Sequence, residues 1–221
     1  MKLWHSLIRG NDPERPTRFH THAGTAASPA EALRWPVALA EWTWGKLSQR
    51  RPERPWIPPA ATRSLALRLA PPARVLEVGG GMSTLWLARR AEEITTFEAD
   101  EAWFRMLRGI LAARGLNHVN LLHRWRAEEM CDYSLVPDRS LDLLIVDGGP
   151  RLECLLAAPP KITPGGCIYI DNTDLYPEVK AQLLEFARQP GWRLTFYRGF
   201  PPACLYLCEG AILERVDAVP L

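Results

Sequence analysis

Short apolar runs alternate with amphipathic stretches along the chain from residue 74 onward. Five of these runs predict buried strands, at 74–78, 94–98, 119–123, 141–147 and 167–171. Helical periodicity marks four segments between and after them, at 83–90, 101–114, 151–158 and 177–188. Strands and helices that alternate at this spacing predict βαβ units, and such units form a parallel sheet with helices on both faces.

Two more strands are predicted near the C-terminus, at 192–197 and 205–213. No helix between them is long enough for a parallel crossover, so we expect them to be antiparallel neighbours at one edge. The predicted fold class is therefore α/β: a Rossmann-like, doubly wound, mostly parallel seven-stranded sheet with an antiparallel edge strand, preceded by an N-terminal helical arm.

The residues before 73 follow a different pattern. Residues 10–27 have no apolar period and predict an irregular segment. The run Ser28-Pro29-Ala30-Glu31 combines an N-cap, a first-turn proline and a capping-box glutamate, which predicts a helix start. Pro36 is expected to split that helix into two short pieces, one around Trp35 and one around Trp42.

A solvated connector at 50–55 and a helix at about 59–69 complete this region. We expect its tryptophans to pack onto the main domain. The predicted division is an N-terminal arm and helical cap at 1–72 and a Rossmann-like domain at 73–221.

Composition and charge exclude several classes of protein. Of the 221 residues, 47% are hydrophobic, and no apolar run approaches the roughly 20 residues of a membrane span. The net charge of +2 gives no global field that favours nucleic acid, although residues 1–60 carry +4 and the rest carry −2. Five cysteines without a C-x-x-C pair predict reduced thiols, and we expect a cytoplasmic protein.

Three glycines after the first strand predict a ligand site. Gly79 to Gly81 lie between that strand and the next helix, where the backbone can turn sharply and offer N–H groups to a ligand. Thr84 stands where a dinucleotide fingerprint needs its third glycine, so an NAD site is excluded. Glu77 places a carboxylate in an apolar strand and needs a compensating partner, while Glu98 at the end of the second strand suits the hydroxyls of a ribose.

With these residues, the stretch 74–174 resembles the class I S-adenosylmethionine-dependent methyltransferases. The resemblance implies S-adenosylmethionine as cofactor, with the first acid near the amino end of its methionine moiety and the second on its ribose. Glu128 follows the third strand, where that family places an adenine contact, although a surface-helix start explains this residue equally well. The cofactor set expected from the resemblance is Glu77, Gly79, Gly80, Gly81, Ser83, Thr84, Glu98, Ala99, Glu128 and Asp147.

Polar side chains end the fourth and fifth strands. Asp147, Asp171 and Asn172 should converge at the carboxyl edge of the sheet, and oxygen ligands of this kind suit Mg²⁺. The pattern is similar to the metal-dependent catechol-type O-methyltransferases, but it lacks the lysine that those enzymes present nearby. A carboxylate base without metal is the equal alternative, with Asp147 or Asp171 as the base and His123 next in line.

These observations predict methyl transfer to an oxygen of a small molecule or a sugar. A nucleic-acid or protein methyltransferase and a non-catalytic domain are the alternatives. Nucleic acid is disfavoured because Asp147-Gly148-Gly149-Pro150 replaces the Asn/Asp-Pro-Pro-aromatic motif of enzymes that methylate base amines. The expected partner is a small-molecule or glycan acceptor, no membrane span is expected, and a homodimer is one candidate assembly.

Overall fold

The computed structural model describes residues 8–216, and a single seven-stranded sheet dominates it. The sheet order is β3-β2-β1-β4-β5-β7-β6, as expected for a doubly wound fold that starts at its centre. The strands are β1 Arg74–Val78, β2 Glu93–Glu98, β3 Val119–His123, β4 Leu141–Val146, β5 Ile162–Asp171, β6 Trp192–Gly199 and β7 Cys208–Arg215.

The first five strands are mutually parallel, and the last two pair antiparallel at one edge as predicted. Strand β7 pairs antiparallel with β5 as well, so it lies between β5 and the outermost strand β6. Strand β5 starts earlier than predicted, because pairing of Leu141 with Ile162 precedes a register shift and extends the strand.

Helices cover both faces of the sheet. Their bounds in the described part of the chain are α1 Pro29–Ala32, α2 Trp35–Ser48, α3 Pro59–Arg68, α4 Met82–Leu87, α5 Glu101–Ala113, α6 Ala127–Met130, α7 Arg151–Ala157 and α8 Pro177–Arg188. Every helix predicted after residue 73 is confirmed, with ends shifted by at most a few residues. None of the helices within residues 8–216 combines the length and the apolar character that a bilayer crossing requires.

Strand alternation divides the core into two layers. Even-numbered residues of β1 and β4, such as Leu76 and Leu144, pack with α7 and α8, whereas odd-numbered ones such as Val75 and Ile145 pack with α3 and α4. Glu77 points to the same face of the sheet as Val75, so its carboxylate lies beneath α4. Helix α3 precedes the predicted boundary at residue 72 and yet contributes Leu65 to this same core.

The first helices correct one prediction. The capping box at Ser28 forms, and Glu31 bonds back to the Ser28 amide at 2.6 Å. Two helical pieces exist, but the break falls before Trp35, so Trp35 and Trp42 share α2. The physical reason is that Pro36 occupies the first turn of α2, where its missing N–H costs nothing.

The connector at 50–55 is anchored rather than only solvated. Glu53 accepts hydrogen bonds from Arg114 and Arg89, which hold its pKa at about 2. Arg54 pairs with Glu41 of α2. The two Glu53 ion pairs connect the arm to the ends of α4 and α5 of the sheet domain. A run of alternating charges in the sequence does not reveal this contact.

The irregular segment 8–27 packs against the loop before β7. Arg15 is buried and donates to the carbonyl oxygen of Leu207, and Phe19 contacts Trp35 and Phe200 at centroid distances of 5.5 Å. Trp35 therefore packs onto the body as expected. Trp44 does not, since it is 66% exposed.

Candidate active site

The turns after β1 and β4 lie in direct contact at the carboxyl edge of the sheet. Gly79 has φ +95°, and a Cβ at this residue would lie 2.8 Å from the Gly148 amide nitrogen. The Asp147 amide donates to the Val78 carbonyl at 2.9 Å. Glycine at both turns is thus a packing requirement, and the close approach brings Asp147 beside the glycine turn.

Glu77 is completely buried beneath this turn. Its Oε2 accepts from the hydroxyls of Thr84 at 2.5 Å and Thr96 at 2.9 Å, while its Oε1 is buried and has no partner among residues 8–216. Burial raises the pKa of Glu77 to about 7, although the hydrogen bonds from Thr84 and Thr96 and the nearby Ser83 hydroxyl lower it. A buried oxygen with no partner calls for a donor from outside the protein, and a cationic group would satisfy it best.

Glu98 ends β2 at the other side of the glycine turn. Its Oε1 accepts from the Asp100 amide at 2.7 Å, and burial raises the pKa of Glu98 although backbone amides oppose this shift. Trp103 of α5 donates from its indole Nε1 to the Gly80 carbonyl at 2.6 Å. The Trp103 bond fixes the glycine turn, and Trp103 is a site residue that the sequence did not identify.

A cavity of about 180 Å³ opens at this position. Trp56 of the arm and Trp103 form aromatic walls, and Asp147 contributes a carboxylate. The complete lining is Trp56, Gly79, Gly80, Gly81, Met82, Ser83, Trp103 and Asp147. A second cavity of about 290 Å³ lies at the opposite edge, near Arg74 and Glu93, where ligands of open α/β sheets do not bind.

The two strand-end carboxylates differ in accessibility. The Asp147 side chain is one-third exposed, whereas Asp171 is buried and accepts from the Tyr169 hydroxyl at 2.6 Å. Burial raises the pKa of Asp147 to about 6, although Arg151 opposes the shift. Burial, reinforced by the Asp147 charge, raises the pKa of Asp171 well above its usual value.

A guanidinium lies between the predicted metal ligands. Arg151 Nη2 donates to the main-chain oxygen of Asp147 at 3.1 Å and to Asn172 Oδ1 at 3.2 Å, and lies 3.9 Å from Asp147 Oδ1. The side chain stacks over the Tyr176 ring at 4.7 Å and is 11% exposed. The positive charge beside the Asp147 and Asn172 oxygens is therefore the Arg151 guanidinium.

The four residues after Ile170 each make a different contact. Asp171 bonds to Tyr169 and Asn172 to Arg151, as described above. Thr173 donates to Glu209 at 2.9 Å, and Asp174 Oδ2 accepts from the His22 amide of the arm at 2.8 Å. The run is therefore a structural junction between β5, β7 and the arm as well as a candidate site.

Some predicted residues lie away from Asp147. His123 ends β3, pairs in register with Glu98 and bonds to the Ala99 carbonyl at 3.1 Å. Strand β3 is three strands from β4, about 14 Å across the sheet, so the structure does not bring His123 to the two carboxylates. Glu128 is exposed at the start of α6 and pairs with Arg126 at 3.5 Å.

Residues 76–173 match the family described as "Methyltransferase domain". The matched segment covers somewhat less than half of the chain. It includes the glycine turn, both strand-end carboxylates and Arg151, whereas Tyr176, the arm and β7 lie outside it. A comparison with the curated proteins finds no match.

Solved structures with a similar fold include both O-methyltransferases and an RNA methylase. The O-methyltransferase TomG from Streptomyces achromogenes is 21% identical, with 81% of this chain and 90% of that chain covered and a TM-score of 0.59. A SAM-dependent O-methyltransferase from Thermotoga maritima is 16% identical, with 82% and 73% covered and a TM-score of 0.54. An rRNA methylase from Streptococcus thermophilus is 18% identical, with 72% and 95% covered and a TM-score of 0.58. At these identities the similarity establishes the Rossmann-like methyltransferase fold.

Proposed function

We propose that the protein transfers a methyl group from S-adenosylmethionine to an oxygen of a small-molecule or sugar acceptor. The observation that carries the cofactor assignment is the buried, unpartnered Oε1 of Glu77 beneath the glycine turn. An ammonium group would satisfy that oxygen and restore the ionised carboxylate. The methyltransferase-domain match supports the same cofactor.

The residues around the cavity fit such a cofactor. Glu77 would hold the amino end of the methionine moiety, and Glu98 would accept from the ribose hydroxyls at the end of β2. Gly79 to Gly81 leave the turn open to the ligand, with Trp56 and Trp103 as apolar walls. The bound cofactor supplies an electrophilic methyl group on a sulfonium.

In this proposal, Asp147 accepts the acceptor's proton. Its carboxylate lines the cavity, and a pKa of about 6 leaves it ionised at neutral pH while making it a better base than an ordinary aspartate. Asp171 is buried against the Tyr169 hydroxyl and does not line the cavity, so it is not the residue that meets the acceptor in this proposal. In this proposal Asp147 takes the hydroxyl proton as the acceptor oxygen attacks.

Arg151 supports the version of this reaction without metal. A Mg²⁺ held by Asp147 and Asn172 would meet the guanidinium that already bonds to both residues. The positive charges of the ion and of the Arg151 guanidinium would then lie close together, and like charges at short distance repel strongly in a partly buried site. We therefore propose that Arg151 fixes Asp147 and Asn172 in place and that no divalent ion is required.

Binding and turnover test this proposal separately. We expect S-adenosylmethionine and S-adenosylhomocysteine to bind in calorimetry and NAD to give no heat. Turnover is measured as S-adenosylhomocysteine release across a library of phenols, catechols, hydroxy acids and sugars. Asp147→Asn should abolish release while cofactor binding persists, and Asp142→Asn, at the other end of β4, is the matched control. Cofactor binding without turnover on any oxygen acceptor, but with methylation of RNA or protein, would contradict the acceptor class.

A further inference from the structure

Two cysteines lie side by side where the last loop meets β7. Cys204 and Cys208 are separated by three residues, and their thiols hydrogen-bond to each other. Both sulfur atoms also lie against the carbonyl oxygen of Tyr206, Cys204 Sγ at 3.7 Å and Cys208 Sγ at 3.6 Å. In an extended strand, residues four positions apart lie about 13 Å from each other, so the turn of this loop is what brings the two thiols together.

The other three cysteines lie in different surroundings. Within residues 8–216, Cys131 and Cys154 bond to main-chain oxygens and Cys167 is buried in the core, and none of the three shares a hydrogen bond with another thiol. Burial raises the pKa of all three. A thiol pair in direct contact is thus a property of the loop before β7.

The two neighbouring thiols differ in acidity. The hydrogen bond from the Cys208 thiol lowers the pKa of Cys204 to about 7, although burial opposes the shift. The Arg15 guanidinium also lowers this pKa, and the Asp171 charge raises it. The shared hydrogen bond and burial raise the pKa of Cys208 well above its ordinary value. At pH 7 roughly half of Cys204 is therefore thiolate, and Cys208 holds the proton that stabilises it.

The thiols differ in accessibility in the same order. Cys204 is partly exposed, whereas Cys208 is 8% exposed. A small oxidant can therefore reach Cys204 first and finds Cys208 behind it. An accessible thiolate beside a less accessible thiol is the arrangement of an attacking and a resolving cysteine.

We propose that Cys204 and Cys208 form an oxidisable dithiol, which hydroperoxides convert to a disulfide and thiol reductants restore. The Cys204 thiolate attacks a peroxide oxygen, so that an S–O bond forms, the O–O bond breaks, and the departing oxygen takes a proton from solvent. Cys208 then loses its proton and attacks the Cys204 sulfur, so that the S–S bond forms and the S–O oxygen leaves as water. Overall, two thiols give up two electrons and two protons, and the hydroperoxide becomes an alcohol and water.

The dithiol encloses the segment to which the arm is bonded. The Leu207 amide donates to the Arg18 carbonyl at 2.9 Å, and the Trp35 indole donates to the Leu205 carbonyl at 3.3 Å. Oxidation would close a covalent ring over residues 204–208, which include both of these contacts with the arm. The pair lies outside the matched residues 76–173, and this proposal does not depend on the proposed reaction.

Peptide mapping of the full chain tests the proposal. Trypsin cleavage after Arg198 and Arg215 releases the peptide 199–215, which contains Cys204 and Cys208 and no other cysteine. After treatment with one equivalent of hydrogen peroxide and alkylation in denaturant, we expect this peptide to be unalkylated and lighter by two hydrogen atoms. Dithiothreitol should restore two alkylatable thiols, and the other three cysteines should remain alkylatable throughout.

The alkylation rate of the native protein is an independent measurement. Cys131 is the internal control, because it is also partly exposed but its pKa is raised above the ordinary value of 9.0. At pH 7 Cys204 has at least ~50-fold more thiolate than Cys131, and the lower nucleophilicity of an acidic thiolate offsets up to ~10-fold of this. We therefore expect iodoacetamide to label Cys204 at least about fivefold faster than Cys131.

Two variants separate the roles of the thiols. Cys208→Ser keeps a hydroxyl donor beside Cys204 but cannot form the disulfide, so peroxide should leave a sulfenic acid on Cys204 that dimedone traps. Cys204→Ser should leave Cys208 unoxidised at the same dose. Circular dichroism verifies that both variants are folded, and the wild-type measurements stand without them.

Three results on the wild-type protein would overturn the proposal. The first is a peptide 199–215 that keeps both thiols after peroxide, and the second is labelling of Cys204 no faster than that of Cys131. The third is a disulfide between two chains, seen as a dimer in a non-reducing gel, in place of the bond within the peptide. Cofactor calorimetry on the reduced protein keeps these outcomes separate from the test of the proposed reaction.

Discussion

Replacing Glu77 with glutamine should stabilise the protein without ligand and weaken its cofactor binding. Glutamine keeps the shape of the side chain, and its carbonyl oxygen can still accept from Thr84 and Thr96. It removes a charge that is completely buried with one oxygen unpartnered. The two effects have opposite signs because the same charge is costly alone and useful beside an ammonium group.

The magnitude follows from the pKa of Glu77. Folding raises this pKa from 4.5 to about 7, so the folded state binds the proton more tightly than the unfolded state. Stability contributed by that proton is present below pH 4.5 and is lost as pH rises toward and through 7. The full loss is about 3 kcal/mol, of which about 2 to 3 kcal/mol falls between pH 5 and pH 8.

Urea unfolding at pH 5 and pH 8 measures this effect. We expect Glu77→Gln to be more stable than wild type at pH 8 by about 2 to 3 kcal/mol relative to their difference at pH 5. Asp147 and Asp171 also titrate with raised pKa values and are present in both proteins, so only the part of the Asp147 shift that the Glu77 charge contributes enters the comparison. Calorimetry on the same variant should show S-adenosylmethionine bound roughly 10- to 150-fold more weakly, the worth of a hydrogen bond to a charged group.

The prediction is wrong if the unfolding free energies of wild type and Glu77→Gln depend on pH in the same way. That result would mean that Glu77 stays ionised without a ligand, so its buried oxygen would need a partner that we have not identified. If the variant is stabilised but binds the cofactor with unchanged affinity, Glu77 does not contact the ligand and has only a structural role.

Four further variants or treatments have defined outcomes. Glu98→Ala should weaken cofactor binding by about 1 to 3 kcal/mol in calorimetry, because the ribose hydroxyls lose a charged acceptor. The control Glu93→Gln, at the other end of β2, should leave binding unchanged. Equal losses in the two variants would remove Glu98 from the site. Turnover should decline as pH falls through about 6, where Asp147 gains a proton, and a rate that stays level down to pH 5 would exclude it as the base. EDTA should leave the rate unchanged while Arg151→Gln lowers it, and a rate lost in EDTA and restored by Mg²⁺ would favour the metal hypothesis. Deletion of residues 1–60 should remove Trp56 from the cavity and the Glu53 ion pairs, so turnover or solubility should be lost, and full activity would show the arm to be dispensable.

The strands and helices of the sheet domain could be predicted because their signals are local. Runs such as 94–98 and 141–147 are rich in apolar and β-branched residues, and the structure reproduces them as β2 and β4. The acid–glycine order along the chain also placed Glu77 and Glu98 at the carboxyl edge, because every parallel strand ends at that edge. Chain direction and periodicity suffice for such placements.

The arm was harder to predict because its contacts are distant in sequence. Glu53 meets Arg114 across 61 residues, and Asp174 meets the His22 amide across 152. Nothing in the run 50–55 distinguishes an anchored glutamate from a solvated one. Trp44 is the converse case, since a tryptophan is usually packed and here lies on the outer face of α2.

The sequence by itself determined the fold class, the direction of the strands and the residues that end them, since these depend on periodicity and turn chemistry. Only the tertiary structure decided how those ends combine. It placed His123 three strands away from Asp147, buried Asp171 against Tyr169, and set the Arg151 guanidinium between Asp147 and Asn172. The physical reason is that the distance between side chains, and the burial that shifts their pKa values, depend on which strands and helices pack together, and that packing is a property of the whole chain rather than of any local run.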